Sequence, residues 1–321
     1  MIVVHGFDSI NNRFINLDKS VKSVVTIGNF DGVHLGHRFI FDRVFKLSKI
    51  TAGENLKRVC VTFEPHSKDF FSKQAARLTT CKDKLKLLEQ LGFDIVWIIN
   101  FNNRTKNITP EDFITKIYSQ FYFKYLIVGS DFRFGKDRLG NVNFLETMAT
   151  PQKLNFNLEI IEDYIVTDQR ISSSEIKKLL LAGNIDVREY LGRFYGFSSK
   201  VIRGQQKGRQ IGYPTANLHI KPGQLILPTG VYAVLIYYKN TCYYAMANWG
   251  IRPTMGNSLE LVLEAHIFNF EANIYEQEVV ILFIEKIRSE KRFQSIEHLR
   301  LQLGQDADQA QKIFANLVID V

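Results

Sequence analysis

Four short apolar runs in the first half of the chain constrain its fold most. They are Val24-Val25-Thr26-Ile27-Gly28, Arg58-Val59-Cys60-Val61-Thr62-Phe63, Ile95-Val96-Trp97-Ile98-Ile99 and Tyr125-Leu126-Ile127-Val128-Gly129. Several are continuous in apolar residues rather than alternating, the pattern of parallel strands covered on both faces. A weaker strand candidate spans 158–161. Helical spacing separates them: Ile40, Val44 and Leu47 within 37–50, then Leu85, Leu88 and Leu91 within 82–91. A further helix opens at Thr109-Pro110, with Thr109 as N-cap and Pro110 at the first helical position. This alternation predicts a doubly wound α/β sheet. Ligands of such sheets sit beyond the carboxyl ends of the strands.

The texture changes between 184 and 190, where the domain boundary is expected. A helix over 172–182 ends at Gly183, and a short one is expected over 185–191. Short strand patterns then follow at 198–203, 230–238, 241–248, 259–268 and 275–285, separated by turns such as Lys239-Asn240 and Met255-Gly256-Asn257-Ser258. Regularly spaced strands of this kind predict a barrel or sandwich. Two helical segments, 295–303 and 306–317, would pack on it.

Composition narrows the function classes. The formal net charge is +8, which suits nucleic acid or anionic small substrates. The basic residues are dispersed, and the densest piece, Lys207 to Arg209 with Arg203 nearby, sits among glycines rather than on a basic helix. That favours small anions over nucleic acid. No apolar run has membrane-spanning length, and Met1-Ile2-Val3-Val4-His5-Gly6 lacks the features of a signal peptide. Cys60, Cys81 and Cys242 are scattered and in no metal spacing. A reducing, cytoplasmic setting is expected.

Five constellations carry chemistry. In Gly28-Asn29-Phe30-Asp31-Gly32-Val33-His34-Leu35-Gly36-His37 a strand passes through glycines into a helix start. His34 and His37, three apart, share one face of the first turn beside free N–H groups and the positive end of the helix dipole. That suits a polyphosphate. A plain helix-capping turn and a zinc pair are the alternatives, though no third zinc ligand lies nearby. Arg170-Ile171-Ser172-Ser173-Ser174-Glu175-Ile176-Lys177 reads as a capping box over Ser172 and Glu175. Its hydroxyls and Lys177 also suit phosphate oxygens.

Val128 to Gly135 follows an apolar strand, and Asp131 there suits a nucleobase or ribose edge, while its aromatic residues suit either ligand or core. Gly204, Gly208 and Gly212 lie within nine residues, ahead of Pro214, Thr215 and Asn217. Such a loop can close around phosphates, or be a glycine-rich turn. Thr215 and Asn217, two apart, would point to one side of an extended chain and suit a hard cation such as Mg²⁺. Finally, Glu264 is a carboxylate inside Leu261-Val262-Leu263-Glu264-Ala265-His266-Ile267-Phe268. Either it alternates outward to solvent or it works as a general base.

Taken in order, these blocks resemble the bacterial bifunctional riboflavin kinase/FAD synthetase family over essentially the whole chain. The matching runs are Gly28–His37, Thr62-Phe63-Glu64-Pro65-His66, Val128–Gly135, Ile171–Ser174, Gly212-Tyr213-Pro214-Thr215-Ala216-Asn217-Leu218 and Asn248-Trp249-Gly250-Ile251-Arg252-Pro253-Thr254 with Glu264. Leu191-Gly192-Arg193 resembles the family's interdomain junction. The resemblance implies a Rossmann-like nucleotidylyltransferase domain over 1–186 that joins FMN and ATP into FAD and pyrophosphate. It implies a Greek-key β-barrel kinase domain over 187–321 that makes FMN from riboflavin and ATP. Both reactions would need Mg²⁺, with no nucleic-acid or membrane partner.

By the same resemblance, His34 and His37 contact ATP phosphates, within a nucleotide-binding set of Gly28, Phe30, Asp31, Gly32, Gly36 and Asp131. Ser172, Ser173 and Lys177 hold phosphate from the other side. In the kinase half, Gly204, Gly208, Arg209, Gly212 and Pro214 form the nucleotide loop, Thr215 and Asn217 take the Mg²⁺ positions and Glu264 that of the base. Arg288 and Phe293 fall where the family lines the flavin site. Several positions depart from the family pattern: Ser174 for threonine, Lys177 for arginine, Ser67 for proline, Trp249 for a small apolar residue and Glu276 for glycine. Lysine keeps the charge of arginine and loses its bidentate fork. None of these changes deletes a proposed catalytic group, so both activities are expected. A regulator that had lost catalysis would lack Glu264, Thr215 or His34, and all three are present. A chain keeping only the kinase has Lys177 as its sole support.

Overall fold

The computed structural model describes residues 1–7, 22–50, 56–65, 76–166, 169–204, 207–253 and 259–317. His66, Ser67, Thr254 and the expected turn at 255–258 fall outside them. The chain divides into two compact units, Met1–Ser173 and Ser174–Val321.

The first unit is built on a six-stranded sheet in the order β1-β4-β3-β2-β5-β6. The strands are β1 (Ile2–His5), β2 (Ser23–Ile27), β3 (Lys57–Glu64), β4 (Ile95–Asn100), β5 (Phe123–Gly129) and β6 (Asn157–Ile161). Every pairing is parallel. All five residues of β2 are buried, as a central strand covered on both faces requires. The edge strand β1 is the one element of this sheet that the apolar runs do not announce. The helices α1 (Leu35–Ile50), α2 (Cys81–Leu91), α3 (Pro110–Phe121) and α4 (Val142–Met148) connect or cover the strands. Local chemistry sets their ends. Thr80 and Thr109 accept N–H bonds from Asp83 and Asp112 as N-caps, and Gly92 closes α2 at φ +99°. Two apolar cores flank the sheet: one holds Trp97, Phe113, Phe121 and Phe134, the other Phe30, Phe41, Leu88 and Phe93. Phe134, left open between ligand and core, is core. A small hairpin, β7 (Ile165–Val166) and β8 (Gln169–Arg170), follows β6.

The order of strands reverses between β2 and β5, which pair in parallel. Such a switch point opens the crevice in which open α/β sheets bind ligands. The turn Gly28–His34 leaves β2 there, and the turn Ser130–Gly135 leaves β5 beside it.

The second unit takes up within the first turn of α5 (Ser173–Leu181) and contains a closed barrel ordered β10-β13-β12-β11-β14-β9. Its strands are β9 (Tyr195–Ile202), β10 (Ala216–Leu218), β11 (Gly230–Tyr238), β12 (Thr241–Pro253), β13 (Leu259–Ile267) and β14 (Glu278–Arg288). β11, β12 and β13 form a meander, and β14 returns to pair with β11, which is a Greek key. The three-residue β10, too short to register as a sequence pattern, closes the barrel between β9 and β13. Trp249 is fully buried among Phe197 and Phe283, so the bulk that departs from the family pattern fills the barrel core. β14 begins at Glu278 rather than at 275 because Glu276 turns the chain at φ +64°. That is the left-handed conformation for which glycine is the ordinary choice.

One expectation for the C-terminal end fails. In place of two helical segments a single helix, α6, runs over Ile296–Ala315, capped by Ser295. Gly304 does not break it. A mid-helix glycine costs about 1 kcal/mol against alanine, and burial of Ala310, Ile313 and Phe314 against Val231, Leu235 and Met246 outweighs that.

Candidate active sites

In the first unit, Gly28 to His37 is a strained turn held by bonds from distant residues. Phe30 and Val33 take φ of +48° and +45°. Positive φ is costly for any L-residue and most of all for a β-branched one. Asp31 is buried, and its Oδ1 accepts from the N–H groups of Leu78 at 3.0 Å and Thr79 at 3.1 Å. The Gly32 N–H donates to Thr79 Oγ1 at 3.0 Å. Ser173 Oγ donates to the Asp31 carbonyl at 2.8 Å. Ser172 and Ser173, expected on phosphate, therefore start α5 right beside the first constellation. Lys177 lies one turn further along α5.

His34 and His37 are brought together face to face. Their ring centroids are 3.5 Å apart and the planes meet at 19°. The His37 N–H donates to His34 Nδ1 at 3.3 Å. Nδ1 is thereby the acceptor nitrogen, which leaves Nε2 as the N–H of the neutral ring. A Cβ at Gly36 would stand 3.2 Å from His34 Nδ1, tighter than ordinary contact, so glycine eases the approach of the His34 ring to the start of α1. Phe30 is buried, with its ring edge-on to His37 at 5.2 Å and to Phe41 at 4.8 Å. A Cβ at Gly28 would meet the Phe30 ring at 2.8 Å. Phe30 and Asp31 thus support the turn from beneath.

At the neighbouring turn Asp131 is exposed and paired with Arg170, which also reaches Asp163 at 3.0 Å. Arg170 was in view only as the start of the serine run; its two carboxylate partners are set by the β7–β8 hairpin. Sequence reasoning also missed Lys84. Its ammonium is buried and donates to the Asn29 carbonyl at 3.0 Å and to Thr62 Oγ1 at 2.9 Å. The available signal was a lysine four residues before Leu88, on the stripe that α2 buries.

The second unit gathers its candidates on one patch of barrel wall. In the antiparallel register Asn217 faces Glu264 across β10 and β13, and Glu264 faces Asn248 across β13 and β12. Directly opposed residues share a face. Leu263, Ala265 and Ile267 are buried inward, so Glu264 and His266 stand on the outer face, both half-buried. The parity left open in the sequence is thereby decided. His266 Nδ1 lies 2.8 Å from the Pro214 carbonyl, and its ring meets Tyr213 edge-on at 5.2 Å.

The glycine loop packs against this patch. A Cβ on Gly204 would stand 2.2 Å from Asn217 Nδ2, and one on Gly208 would stand 2.3 Å from the Tyr213 carbonyl. Gly212 turns at φ +85°. Arg209 lies on the helical turn Lys207–Gln210 within the loop. Thr215 Oγ1 is 3.5 Å from the Cβ position of Gly208, so hydroxyl and loop backbone are neighbours. Arg288, at the end of β14, is held through Nε and Nη2 by Asp306 of α6, at 2.8 and 2.7 Å, and lies 5.7 Å from the Phe293 ring. Asp306 is almost fully buried, so this pair joins helix to barrel at the residues expected for flavin. Among the described residues no group of three or more His, Cys, Asp or Glu could hold a metal ion, and no helix is long and apolar enough to cross a membrane.

Known proteins agree with this division. The FAD synthetase family model matches residues 17–175 and the riboflavin kinase family model residues 191–314. A bifunctional riboflavin kinase/FMN adenylyltransferase of Buchnera aphidicola subsp. Schizaphis graminum is 35% identical over 322 residues, 98% of each chain. The Escherichia coli K12 protein of that description is 33% identical, over 91% of this chain and 92% of its own, and that of Bacillus subtilis 30%, over 94% and 95%. A crystal structure described as a macrolide-efflux protein from Streptococcus pneumoniae has the same fold, with a TM-score of 0.84 at 24% identity over 99% of this chain and 100% of that one. Two family models in this order, with relatives aligned over nearly their whole length, show that the chain belongs to the bifunctional riboflavin kinase/FMN adenylyltransferase family.

Proposed function

We propose that residues 1–186 carry the FMN adenylyltransferase reaction of this bifunctional enzyme and residues 187–321 its riboflavin kinase reaction, both in the cytoplasm. The observation that carries the first assignment is the stacked His34–His37 pair at the start of α1. A phosphate oxygen of FMN attacks the α-phosphorus of ATP, the bond to the β-phosphate oxygen breaks, and pyrophosphate leaves. The nucleophile is already anionic, so the protein's work is positioning and charge stabilisation. His34 and His37 donate to the phosphates, together with the N–H groups of α1 and the hydroxyls of Ser172 and Ser173. Lys177 adds charge. Asp131, held by Arg170, meets the nucleotide.

In the kinase half Glu264 takes the proton of the riboflavin 5′-hydroxyl as its oxygen bonds to the γ-phosphorus, and ADP leaves. The support is the row Asn217–Glu264–Asn248, which sets a carboxylate on the outer wall beside the glycine loop. That loop, with Gly204, Gly208, Arg209, Gly212 and Pro214, covers the ATP phosphates. Arg288 and Phe293 border the flavin. The donor set suits Mg²⁺: Thr215 and Asn217 offer neutral hard oxygens, and the Asn217 amide packs directly against Gly204, in the space a Cβ would take. Mg²⁺ typically takes few protein ligands and completes its shell with phosphates and water. When bound, it neutralises charge on the phosphates being transferred. The cytoplasmic setting is supported by three free cysteines, Cys60 among them buried.

The test is one time course. Purified protein is supplied with riboflavin, ATP and Mg²⁺, and the flavins are separated by chromatography. FMN appearing first and FAD after it is the expected result. FMN without FAD, in protein also supplied with FMN, would remove the adenylyltransferase assignment.

A further inference from the structure

Lys84 sits where a lysine is expensive. It is 5% exposed, and it lies in the first turn of α2, where the helix dipole opposes a cation. Burial pushes its ammonium below the ordinary lysine range, against the opposing pull of Cys81, Glu64, Cys60 and Asp31. A buried charge kept at such a cost needs a partner or a task. Its two hydrogen bonds indicate the task. One goes to Thr62 Oγ1 on β3, the other to the carbonyl of Asn29, the residue just ahead of the strained Phe30. Thr62 Oγ1 itself reaches the Asn29 carbonyl at 3.2 Å.

Because a peptide unit is planar and trans, its C=O and N–H point in opposite directions. A carbonyl of Asn29 drawn to the Lys84 ammonium turns the Phe30 N–H away from it. We propose that Lys84 is a positioning residue for adenylyl transfer, fixing the Asn29–Phe30 peptide so that the Phe30 N–H is presented to the ATP phosphates. The inference rests on the assignment of adenylyl transfer to this turn. Thr62 Oγ1 shares the Asn29 carbonyl with Lys84, while the tethers on Asp31 and Gly32 act further along. Lys84 acts on the peptide that enters the strained stretch.

The test is Lys84→Met in the full chain, with steady-state kinetics of FAD formation from FMN and ATP. The side chain keeps its length and loses its donors. KM for ATP is expected to rise ~10-fold, since a misoriented N–H forfeits one hydrogen bond to a charged phosphate. KM for FMN and the riboflavin kinase rate should stay within about threefold. A loss of packing alone would lower the active fraction and leave KM for ATP unmoved. Hydrogen exchange on the same samples should quicken in 28–34 and leave β2–β5 protected. If Lys84→Met does not fold, Thr62→Val removes one of the two acceptors of Lys84 together with the Thr62 bond to the Asn29 carbonyl, and KM for ATP should still rise ~3-fold. Unchanged KM for ATP in folded variant protein overturns the inference. His34→Ala, measured alongside, separates the two readings. Loss of FAD formation there with none in Lys84→Met overturns Lys84 alone. No loss in either overturns the assignment of the site.

Discussion

Glu264 lies directly opposite Asn217 in the antiparallel register of β13 and β10, while its sequence neighbours Leu263 and Ala265 point into the barrel. A carboxylate and an amide separated by 47 positions in the chain thereby share one face of the wall, next to the glycine loop. The arrangement puts the proposed base and Asn217, one of the two proposed cation ligands, in a single unit set by strand pairing.

Glu264→Gln keeps the shape and removes the basic oxygen. FMN formation from riboflavin should fall by ~10²–10⁴, while FAD formation from added FMN stays near the wild-type rate. Separate assays with each flavin check this. A variant that keeps its kinase rate would exclude Glu264 as the base.

The double variant His34→Ala/His37→Ala should lose FAD formation by ~10³ or more, as two phosphate donors go together. FMN formation should persist, because no residue of the kinase patch is touched. Disappearance of both activities in folded protein would contradict the separation of the sites.

Gly204→Ala introduces a Cβ 2.2 Å from Asn217 Nδ2. The amide must move, and displacement of a positioning group by about 1 Å costs on the order of 10²-fold in rate. The kinase rate should drop with an elevated Mg²⁺ requirement, whereas the thermal unfolding of the barrel should change little. Titration of the rate with Mg²⁺ reads this out. An unchanged Mg²⁺ dependence would count against Asn217 as a cation-site residue.

Stability of the first unit should be acid-sensitive through Asp94. Its carboxylate accepts from the Arg58 N–H at 2.8 Å, Nε at 2.8 Å and Nη2 at 2.7 Å. Burial by itself pushes the carboxyl up, and the bonds and charge of Arg58 outweigh it, so it sits below the ordinary aspartate range. A carboxylate depressed in the folded state stabilises above its unfolded pKa. That contribution is lost as pH falls through the lower, folded value. Asp94→Asn should therefore lose about 1–2 kcal/mol at pH 7, with the gap to wild type closing in acid. Urea unfolding followed by Trp97 fluorescence in a Trp249→Phe background reports on this unit alone. A gap that stays constant with pH would refute the argument.

Much of this was legible in the chain itself. Unbroken apolar runs specify buried parallel strands because both faces of such a strand meet apolar layers, and β2 to β6 lie where those runs fall, within a residue or two. The glycine-spaced blocks were legible for a similar reason: a positive φ or a close backbone approach admits few residues, and Gly32 and Gly212 take φ of +88° and +85°. The helix start at Thr109 follows from a hydroxyl cap that acts within three residues.

Other features depend on partners distant in sequence. Whether Glu264 faced solvent, core or ligand was undecidable from alternation, because a closed barrel has an outer wall that other segments can cover. Lys84 reads as a solvated charge until α2 packs it beneath the Asn29 turn. That Phe30 and Asp31 are buried, against Phe41 and Thr79, is likewise set by segments distant in the chain. Gly304 reads as a helix break until the burial of Ala310 and Phe314 carries α6 through it. The sequence by itself determined most of the strands and helices, and the order of the chemical blocks, because these follow from interactions spanning a few residues. Tertiary structure alone decided which of those residues meet and which are buried, because register and burial are settled between segments brought together only by folding.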